Sequence, residues 1–130
     1  MAVETKRPIL PVFIHDEISP DIRKIGAAQK WWLHHSLTAL IESLEARGIS
    51  MILRRGDARE ILPKLAKETG AKHITWNRRY TPGGIATDTE LKARLTEKGV
   101  KVSSHNGALM HEPWTIANKQ NQRFKVFSPW

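Results

Sequence analysis

Residues 50–76, SMILRRGDAREILPKLAKETGAKHITW, predict a strand, a helix and a second strand in that order. The stretches at 50–54 and 73–76 are each short runs of the length of a buried strand. A helical crossover joins strands that run in the same direction, because the helix returns the chain to the starting edge of the sheet. The segment therefore indicates an α/β fold with a parallel sheet.

The helix inside this segment has signals at both of its ends. Asp57 can accept a hydrogen bond from the first helical turn, and Glu60 three residues later completes a capping-box pattern. Gly70 predicts the end of the helix. Because Pro63 lies inside the pattern, we expect a kink or a later helix start.

The same alternation continues on both sides of the segment. Residues 9–14 form an apolar run typical of a strand covered on both faces, although Pro11 removes one ladder donor. Four strands and three helices in alternation predict a Rossmann-like, mostly parallel sheet with flanking helices. The other predicted elements are a helix over 26–47, a loop over 77–84, a helix over 85–98, a strand over 100–104, an exposed loop over 117–123 and an apolar tail over 124–130.

The composition is that of one globular domain of 130 residues, with 40% hydrophobic and 26% charged residues. The absence of cysteine excludes disulfides, thiolate zinc sites and a cysteine nucleophile. No apolar stretch has the length of a signal peptide or a membrane helix, so we expect a cytoplasmic protein that makes no membrane contact. The formal charge of +8 favours anionic partners, although a solvated basic face is an equally good interpretation.

Two arginine pairs occupy positions at or just after predicted strands. Arg54 and Arg55 end the second strand, and Arg78 and Arg79 follow the third. In open α/β sheets, ligands bind beyond the carboxyl ends of the strands. Guanidinium groups there suit a phosphate or a carboxylate, while the alternative is that both pairs are solvated loop ends.

Other candidate residues carry weaker signals. His34 and His35 are adjacent in a helix and point about 100° apart, so we expect surface or packing histidines and no shared metal. At least one of Trp31 and Trp32 is predicted to pack on the sheet. The sequence contains neither a phosphate-loop nor a dinucleotide fingerprint and no pattern of nucleophile, base and acid.

Several segments, taken together, resemble the photolyase/cryptochrome family. Residues 8–17 (PILPVFIHDE) are similar to its second strand, and residues 26–37 (GAAQKWWLHHSL) to its first long helix. The segments extend over nearly the whole chain in the family's order. The others are 53–57 (LRRGD), 76–82 (WNRRYTP), 106–114 (NGALMHEPW) and 124–129 (FKVFSP).

The resemblance implies that residues 1–130 are the N-terminal α/β domain of a DNA photolyase, with 115–130 leading toward the next domain. Members of the family use light to repair pyrimidine dimers in DNA. This domain typically holds an antenna chromophore, a folate, a deazaflavin or a flavin, which passes its excitation to FAD in a helical C-terminal domain. The resemblance thus implies a fragment that is not catalytic alone and reaches DNA through the full-length protein.

Two departures from the family pattern have consequences. The family's first strand, which is central in its sheet, and the Arg-Asp-Leu-Arg motif after it are missing here. Because this loss would expose two strand edges, we expect rearranged pairing, a strand-exchanged oligomer or a homodimer. Second, folate-binding relatives carry acidic and amide residues after the tyrosine that matches Tyr80, whereas this chain has TPGG at 81–84, which argues against a folate held in that manner.

The resemblance and the arginine pairs together suggest a set of antenna contacts, none of them catalytic. The predicted cofactor-binding residues are His15, Asp16, Glu17, Arg54, Arg55, Arg78, Arg79 and Tyr80, and no metal site is predicted. Two alternatives remain open: a cryptochrome-type blue-light photoreceptor domain, and a stand-alone basic module that binds nucleotides or nucleic acid.

Overall fold

The structure, a computed structural model, describes residues 8–118 together with residues 120 and 122. Strands and helices alternate as predicted, and the fold class, α/β with parallel strands and flanking helices, is confirmed. The tail predicted at 124–130 and part of the loop predicted at 117–123 lie outside the described residues. The elements are β1 (Val12–His15), α1 (Ala27–Glu45), β2 (Ile52–Arg55), α2 (Ala58–Thr69), β3 (His73–Asn77), α3 (Pro82–Glu97) and β4 (Lys101–His105).

The four strands form two separate parallel pairs within the described residues. β1 pairs with β2, and β3 pairs with β4, but no ladder joins β1 to β3. Each pair is parallel and its strands are joined by a helix, as in a doubly wound sheet. This arrangement agrees with the predicted gap. Of the three outcomes expected from it, rearranged pairing is not found in the described part of the chain.

Helix α2 begins where the sequence predicts. Asp57 accepts a hydrogen bond from the backbone N–H of Arg59 at 2.8 Å and forms an ion pair with the Arg59 guanidinium at 2.6 Å. The reciprocal half of the predicted capping box is absent, because Glu60 instead pairs with Arg94 of α3 at 3.0 Å. The predicted later start is wrong, since α2 runs through Pro63 without interruption to a left-handed Gly70.

The loop after β1 connects three elements at the carboxyl ends of the strands. Asp16 accepts hydrogen bonds from the Ser19 hydroxyl at 2.6 Å and from the Ala58 backbone at 3.2 Å. The Ser19 hydroxyl also lies 3.0 Å from Oδ1 of Asp57. A Cβ atom on Gly83, in the first turn of α3, would lie 2.5 Å from the Asp21 carbonyl oxygen, so the loop and α3 are in close contact. The loop therefore positions the start of α2 and the start of α3 together.

Helix α3 begins earlier than predicted, at Pro82 rather than at residue 85. The Thr81 hydroxyl accepts a hydrogen bond from the Gly84 N–H at 3.3 Å, and Pro82 occupies the first helical turn, where its missing donor has no cost. The core lies between α2 and α3, where the buried apolar side chains are Leu65, Ala66, Leu91 and Leu95.

Helix α1 carries an apolar stripe toward the first strand pair but has no fully buried residue. The prediction that Trp31 or Trp32 packs on the sheet is wrong, since the two residues are 67% and 65% exposed. Each helical residue advances about 100°, so Trp31 and Trp32 point away from the side that Leu33 and Leu37 present to the sheet. None of the described helices is long and apolar enough to cross a membrane.

Replacing Asp57 with alanine should lower the free energy of unfolding at pH 7 by about 1–2 kcal/mol, because α2 loses its N-cap. The Arg59 guanidinium lowers the pKa of Asp57 from 3.8 to about 2. A carboxyl whose pKa is lowered by folding stabilises the protein above its unfolded pKa, and that contribution is lost as the pH falls toward 2. Urea denaturation between pH 2 and 5 should therefore show a weaker pH dependence for the variant. Asp57→Asn, which keeps a capping oxygen without the charge, should lose the pH dependence and the stability that the charge provides at pH 7, but keep the cap and so remain more stable than Asp57→Ala; a wild-type profile in both variants would contradict this role.

Gly83→Ala should lower the free energy of unfolding by about 1–3 kcal/mol, because the new methyl group meets the backbone of Asp21. Gly26→Ala is the matched control, since a Cβ at that position has no neighbour within 4 Å. Thermal denaturation of both variants measures the difference. Equal melting temperatures for the two would show that the loop and α3 are not in close contact.

Candidate functional site

A groove of about 450 Å³ lies between α1 and the carboxyl ends of β1 and β2. Successive side chains of a strand alternate between faces, so Phe13 and His15 project from one face of β1 together. The floor is apolar and is formed by Phe13 and Leu53 from the strands and Leu33 and Leu37 from α1. The rim is basic, and its side chains are His15, Lys30, His34, Arg54 and Arg55.

One buried carboxylate lies beside this groove. The Glu17 side chain is 8% exposed, 3.0 Å from the Lys30 ammonium, 3.1 Å from the His15 ring and 3.6 Å from the Arg55 guanidinium. The Lys30 ammonium lowers the pKa of Glu17, and His15 adds to this effect. Glu17 is therefore ionised at neutral pH and orients the cations around it.

The groove keeps an excess of positive charge beyond what Glu17 neutralises. Arg54 donates to the neighbouring carbonyl of Leu53 at 3.0 Å, and no carboxylate of the described residues pairs with it. The Arg55 side chain is 79% exposed and only loosely paired with Glu17. Leu53 and Arg55 share one face of β2, so the Arg55 guanidinium beside the apolar floor is suited to an anionic ligand with a flat apolar body.

A second cluster lies at the carboxyl ends of β3 and β4. The Arg78 guanidinium donates to Glu112 at 2.7 Å and to the Ser104 carbonyl at 2.9 Å. The Tyr80 hydroxyl donates to the same Glu112 oxygen at 2.7 Å. The Trp114 ring packs at 6.2 Å from the Tyr80 ring and at 5.7 Å from the Arg78 guanidinium. These contacts fasten the segment after β4 to the end of β3.

The side chains of this second cluster shift one another's pKa values. Burial and the hydrogen bond to Glu112 raise the pKa of Tyr80, while Arg78 opposes them. Hydrogen bonds from Tyr80 and Arg78 lower the pKa of Glu112. Arg78 and Glu112 are therefore paired ions, and the cluster has little charge left for a ligand.

The structure divides the eight predicted site residues into four groups. His15, Glu17, Arg54 and Arg55 come together around the groove, whereas Arg78 and Tyr80 belong to the second cluster. Asp16 caps the turn at Ser19 and accepts from the first residue of α2. Burial raises the pKa of Asp16, but hydrogen bonds from Ser19, Ala58 and Ile18 together outweigh this and leave that pKa below its ordinary value.

Arg79, the remaining predicted contact, forms an ion pair with Asp88 of α3 at 2.6 Å. Thr81 and Gly84 lie in the segment where folate-binding relatives carry polar groups. Here the Thr81 hydroxyl accepts from the Gly84 N–H and caps the N-terminus of α3.

The sequence analysis did not predict three of the residues that form the groove and the second cluster. Lys30 lies one residue before the tryptophan pair in α1 and carries no motif of its own. Glu112 and Trp114 lie in a segment that the sequence analysis singled out only for its family resemblance. Their distance along the chain from Arg78 hides the pairing, which depends on how β4 lies beside β3. Within the described residues, no group of three or more histidine and acidic side chains could hold a metal ion.

The fold and the groove define a doubly wound α/β domain with a basic groove at the carboxyl ends of one strand pair. The chain belongs to the DNA photolyase family, whose family model, described as DNA photolyase, matches residues 1–130. This confirms the resemblance predicted from the sequence.

Individual relatives agree with this assignment. A deoxyribodipyrimidine photo-lyase of Agrobacterium fabrum is 45% identical over 129 residues, which are 99% of this chain and 26% of the relative. Cryptochrome-2 of Arabidopsis thaliana is 30% identical over 123 residues, 94% of this chain and 20% of the relative. The crystal structure of a bacterial class III photolyase from Agrobacterium tumefaciens superposes with a TM-score of 0.87 at 45% identity, covering 98% of this chain and 26% of that one. The chain thus spans about a quarter of these relatives or less, and corresponds to an N-terminal fragment.

Glu112→Gln should lower the pKa of Tyr80, because the carboxylate that raises it becomes neutral. Tyr80 is the single tyrosine of the chain, so an absorbance titration at 295 nm reports on this group alone. Glu97→Gln, an exposed change outside the cluster, is the control and should leave the titration unchanged. A Tyr80 pKa that is the same in all three proteins would contradict the contact with Glu112.

Proposed function

We propose that this chain is the antenna-chromophore domain of a DNA photolyase that repairs pyrimidine dimers with light. The observation that carries the proposal is the groove at β1 and β2, which combines an apolar floor with Arg54, which no carboxylate of the described residues pairs, and Arg55, which is paired only loosely with Glu17 at 3.6 Å. Family membership and the 45% identity to photolyases support it. The family uses antenna chromophores and FAD and acts on DNA. In this proposal FAD and most DNA contacts belong to another domain, so residues 1–130 alone are not catalytic.

The groove residues fit a chromophore of the flavin or deazaflavin type. Arg54 and Arg55 would bind its phosphate or carboxylate, because both residues line the groove and the Arg55 guanidinium is held only loosely by Glu17 at 3.6 Å. Phe13 and Leu37 would contact the flat ring from opposite walls. Glu17 would hold Lys30 and His15 in place at the rim. A bound antenna chromophore would absorb light and pass its excitation on.

The other predicted contacts contribute less to this proposal. Asp16 and Arg79 are engaged by Ala58 and Asp88, and Arg78 and Tyr80 by Glu112. Each would have to leave a protein partner to bind a ligand. Their role as antenna contacts stays a prediction.

The proposal is tested by titrating the purified chain with flavin mononucleotide, a deazaflavin and methenyltetrahydrofolate. We expect binding of one of the first two, with a dissociation constant raised about tenfold or more in an Arg54→Ala/Arg55→Ala variant, because charge-assisted hydrogen bonds are lost. Fluorescence anisotropy of the chromophore measures the affinity.

Lys64→Ala/Lys67→Ala is the matched control, since it removes the same charge from exposed positions of α2. If both double variants weakened chromophore binding equally, the loss of affinity would be due to the net charge of the chain and not to Arg54 and Arg55. Failure of all three chromophores to bind would contradict the antenna function of this groove.

Two other functions have some support. Similarity to Cryptochrome-2 over 94% of the chain favours a photoreceptor domain, in which the same groove would hold a chromophore without repair.

The charge of +8 favours a stand-alone module that binds nucleic acid. A salt-dependent titration with undamaged duplex DNA tests the module, because neutralised phosphates give a slope of log affinity against log salt. We expect no micromolar binding by this chain at 0.15 M salt; micromolar binding with a steep slope would favour the module instead.

Self-association and location are the remaining predictions. A homodimer or strand-exchanged oligomer follows from exposed strand edges, and sedimentation velocity of the purified chain measures it. The cytoplasmic location predicted from the sequence stays a prediction.

A further inference from the structure

Helix α1 turns a second side away from the groove, and we call this side the outer face of α1. Each residue advances about 100°, so the side opposite Leu37 is fixed by the sequence. All of its members are exposed, and only one of them is acidic or carries a permanent charge. A helix that is solvated on its outer side carries charged residues there, whereas a helix with few charges on either side is covered on both. The members of the outer face are Ala28, Trp31, Trp32, His35, Ala39, Glu42 and Ser43.

The aromatic side chains of the outer face lie side by side. Trp31 and Trp32 are 67% and 65% exposed. The Trp31 ring meets the His35 ring edge to face, with 4.5 Å between the ring centroids. Contiguous exposed patches of large apolar side chains mark interaction surfaces, and tryptophan is enriched where proteins bind one another. The outer face of α1 therefore has the composition of an interface.

Large and small side chains are separated along the outer face. The rings of Trp31, Trp32 and His35 occupy its N-terminal half, and the small side chains of Ala39 and Ser43 occupy its C-terminal half. The twelve residues from Trp31 to Ser43 span about 18 Å of helix. A two-fold axis across the middle of α1 would place the Trp31 ring of one copy over Ser43 of the other, and His35 over Ala39. The outer face is thus complementary in shape to itself when two helices run antiparallel.

We propose that the outer face of α1 binds the same face of a second copy of this chain, with the two helices antiparallel. A two-fold interface uses one patch on both copies, so a face that complements itself is suited to it. A parallel pair would instead oppose large rings to large rings and small residues to small ones.

The charges at the two ends of α1 favour the antiparallel arrangement as well. Glu42 and Glu45 lie near the C-terminal end of α1, and Arg23 and Lys24 lie just before its N-terminal end. None of these four residues forms an ion pair within the part of the chain that the structure describes. An antiparallel second copy brings the acidic end of each helix toward the basic end of the other, and it opposes the two helix dipoles favourably.

A membrane surface is a poorer occupant of the outer face. A helix that lies in a lipid interface has a polar side rich in lysine and arginine. Within α1, Lys30 is the single residue of these two types, and it pairs with Glu17 at 3.0 Å. Glu42 and Glu45 outnumber it, so α1 has no attraction of its own for anionic lipid.

The size of the outer face sets the expected affinity. Each copy contributes two tryptophans, and a tryptophan side chain buries about 150–250 Å². With the small residues between them, the two copies would bury roughly 1,000 Å² in total, which is the lower limit of a specific interface. We therefore expect a reversible dimer with a dissociation constant of about 1–100 μM.

Sedimentation equilibrium of the full chain at 1–200 μM measures the dissociation constant. We expect Trp31→Glu and Ala39→Glu each to raise it at least tenfold, because each variant buries an unpaired charge in one half of the face. Met110→Glu is the matched control, since it places the same charge at a residue that is 95% exposed outside α1 and should leave the constant within about twofold of wild type. Circular dichroism shows whether each variant keeps its fold.

Cysteine cross-linking tests the direction of the two helices, because the chain has no cysteine of its own. His35→Cys and Ala39→Cys variants are mixed in equal amounts and oxidised. An antiparallel pair should give mainly the mixed disulfide between the two variants. A parallel pair would give mainly the two symmetric disulfides.

Three results would overturn the proposal. The first is a chain that stays monomeric at 200 μM. The second is a dimer that neither Trp31→Glu nor Ala39→Glu weakens more than Met110→Glu does, which would place the contact elsewhere, for example at the strand edges. The third is a predominance of the symmetric disulfides. Because the outer face lies opposite the groove on α1, none of these results depends on chromophore binding, and the antenna proposal is tested separately.

Discussion

Two carboxylates linked through one serine hydroxyl hold the parts of this interrupted sheet in register. Asp16 and Asp57 both lie within hydrogen-bond distance of the Ser19 hydroxyl, at 2.6 and 3.0 Å. In a continuous parallel sheet, backbone ladders would fix β1 relative to β3, but the described residues contain no such ladder. The relation of the two strand pairs therefore depends on the loop after β1, on the capped start of α2 and on the packing of α2 against α3. Buried polar contacts of this kind are specific because an unpaired member would be costly.

The distribution of paired and unpaired cations follows from the same architecture. Arginines that lie near α3 and the segment after β4 find carboxylates: Arg59 and Arg94 pair with Glu90, Arg79 with Asp88, and Arg78 with Glu112. Among the described residues, Glu17 is the one carboxylate that pairs with the cations around the groove. The positive charge left at the carboxyl ends of β1 and β2 is thus a property of the fold as well as of the composition. A ligand that binds there supplies the negative charge that this half of the domain lacks.

Local signals were sufficient to predict most of the fold. Asp57 and Gly70 bound α2, and the alternation of strands and helices predicts parallel pairing, because these features act within a few residues. The predicted start of α3, at residue 85, is three residues too late. Pro82 and the two glycines after it are typical of loops unless Thr81 is recognised as the N-cap. The separation of the predicted site residues into the groove and the second cluster could not be predicted from the sequence. The rule that ligands bind beyond the carboxyl ends of the strands places all of these strand ends in one crevice. Arg55 lies at the end of one strand pair and Arg78 at the end of the other, and their partners, Glu17 and Glu112, are set by tertiary packing.

Strand β1 connects the two features that remain open to a partner. Its residues alternate, so Phe13 and His15 line the groove while Val12 and Ile14 turn their backbone groups to the free edge. A strand of four residues with a ladder on one edge opens more easily than a central strand bonded on both.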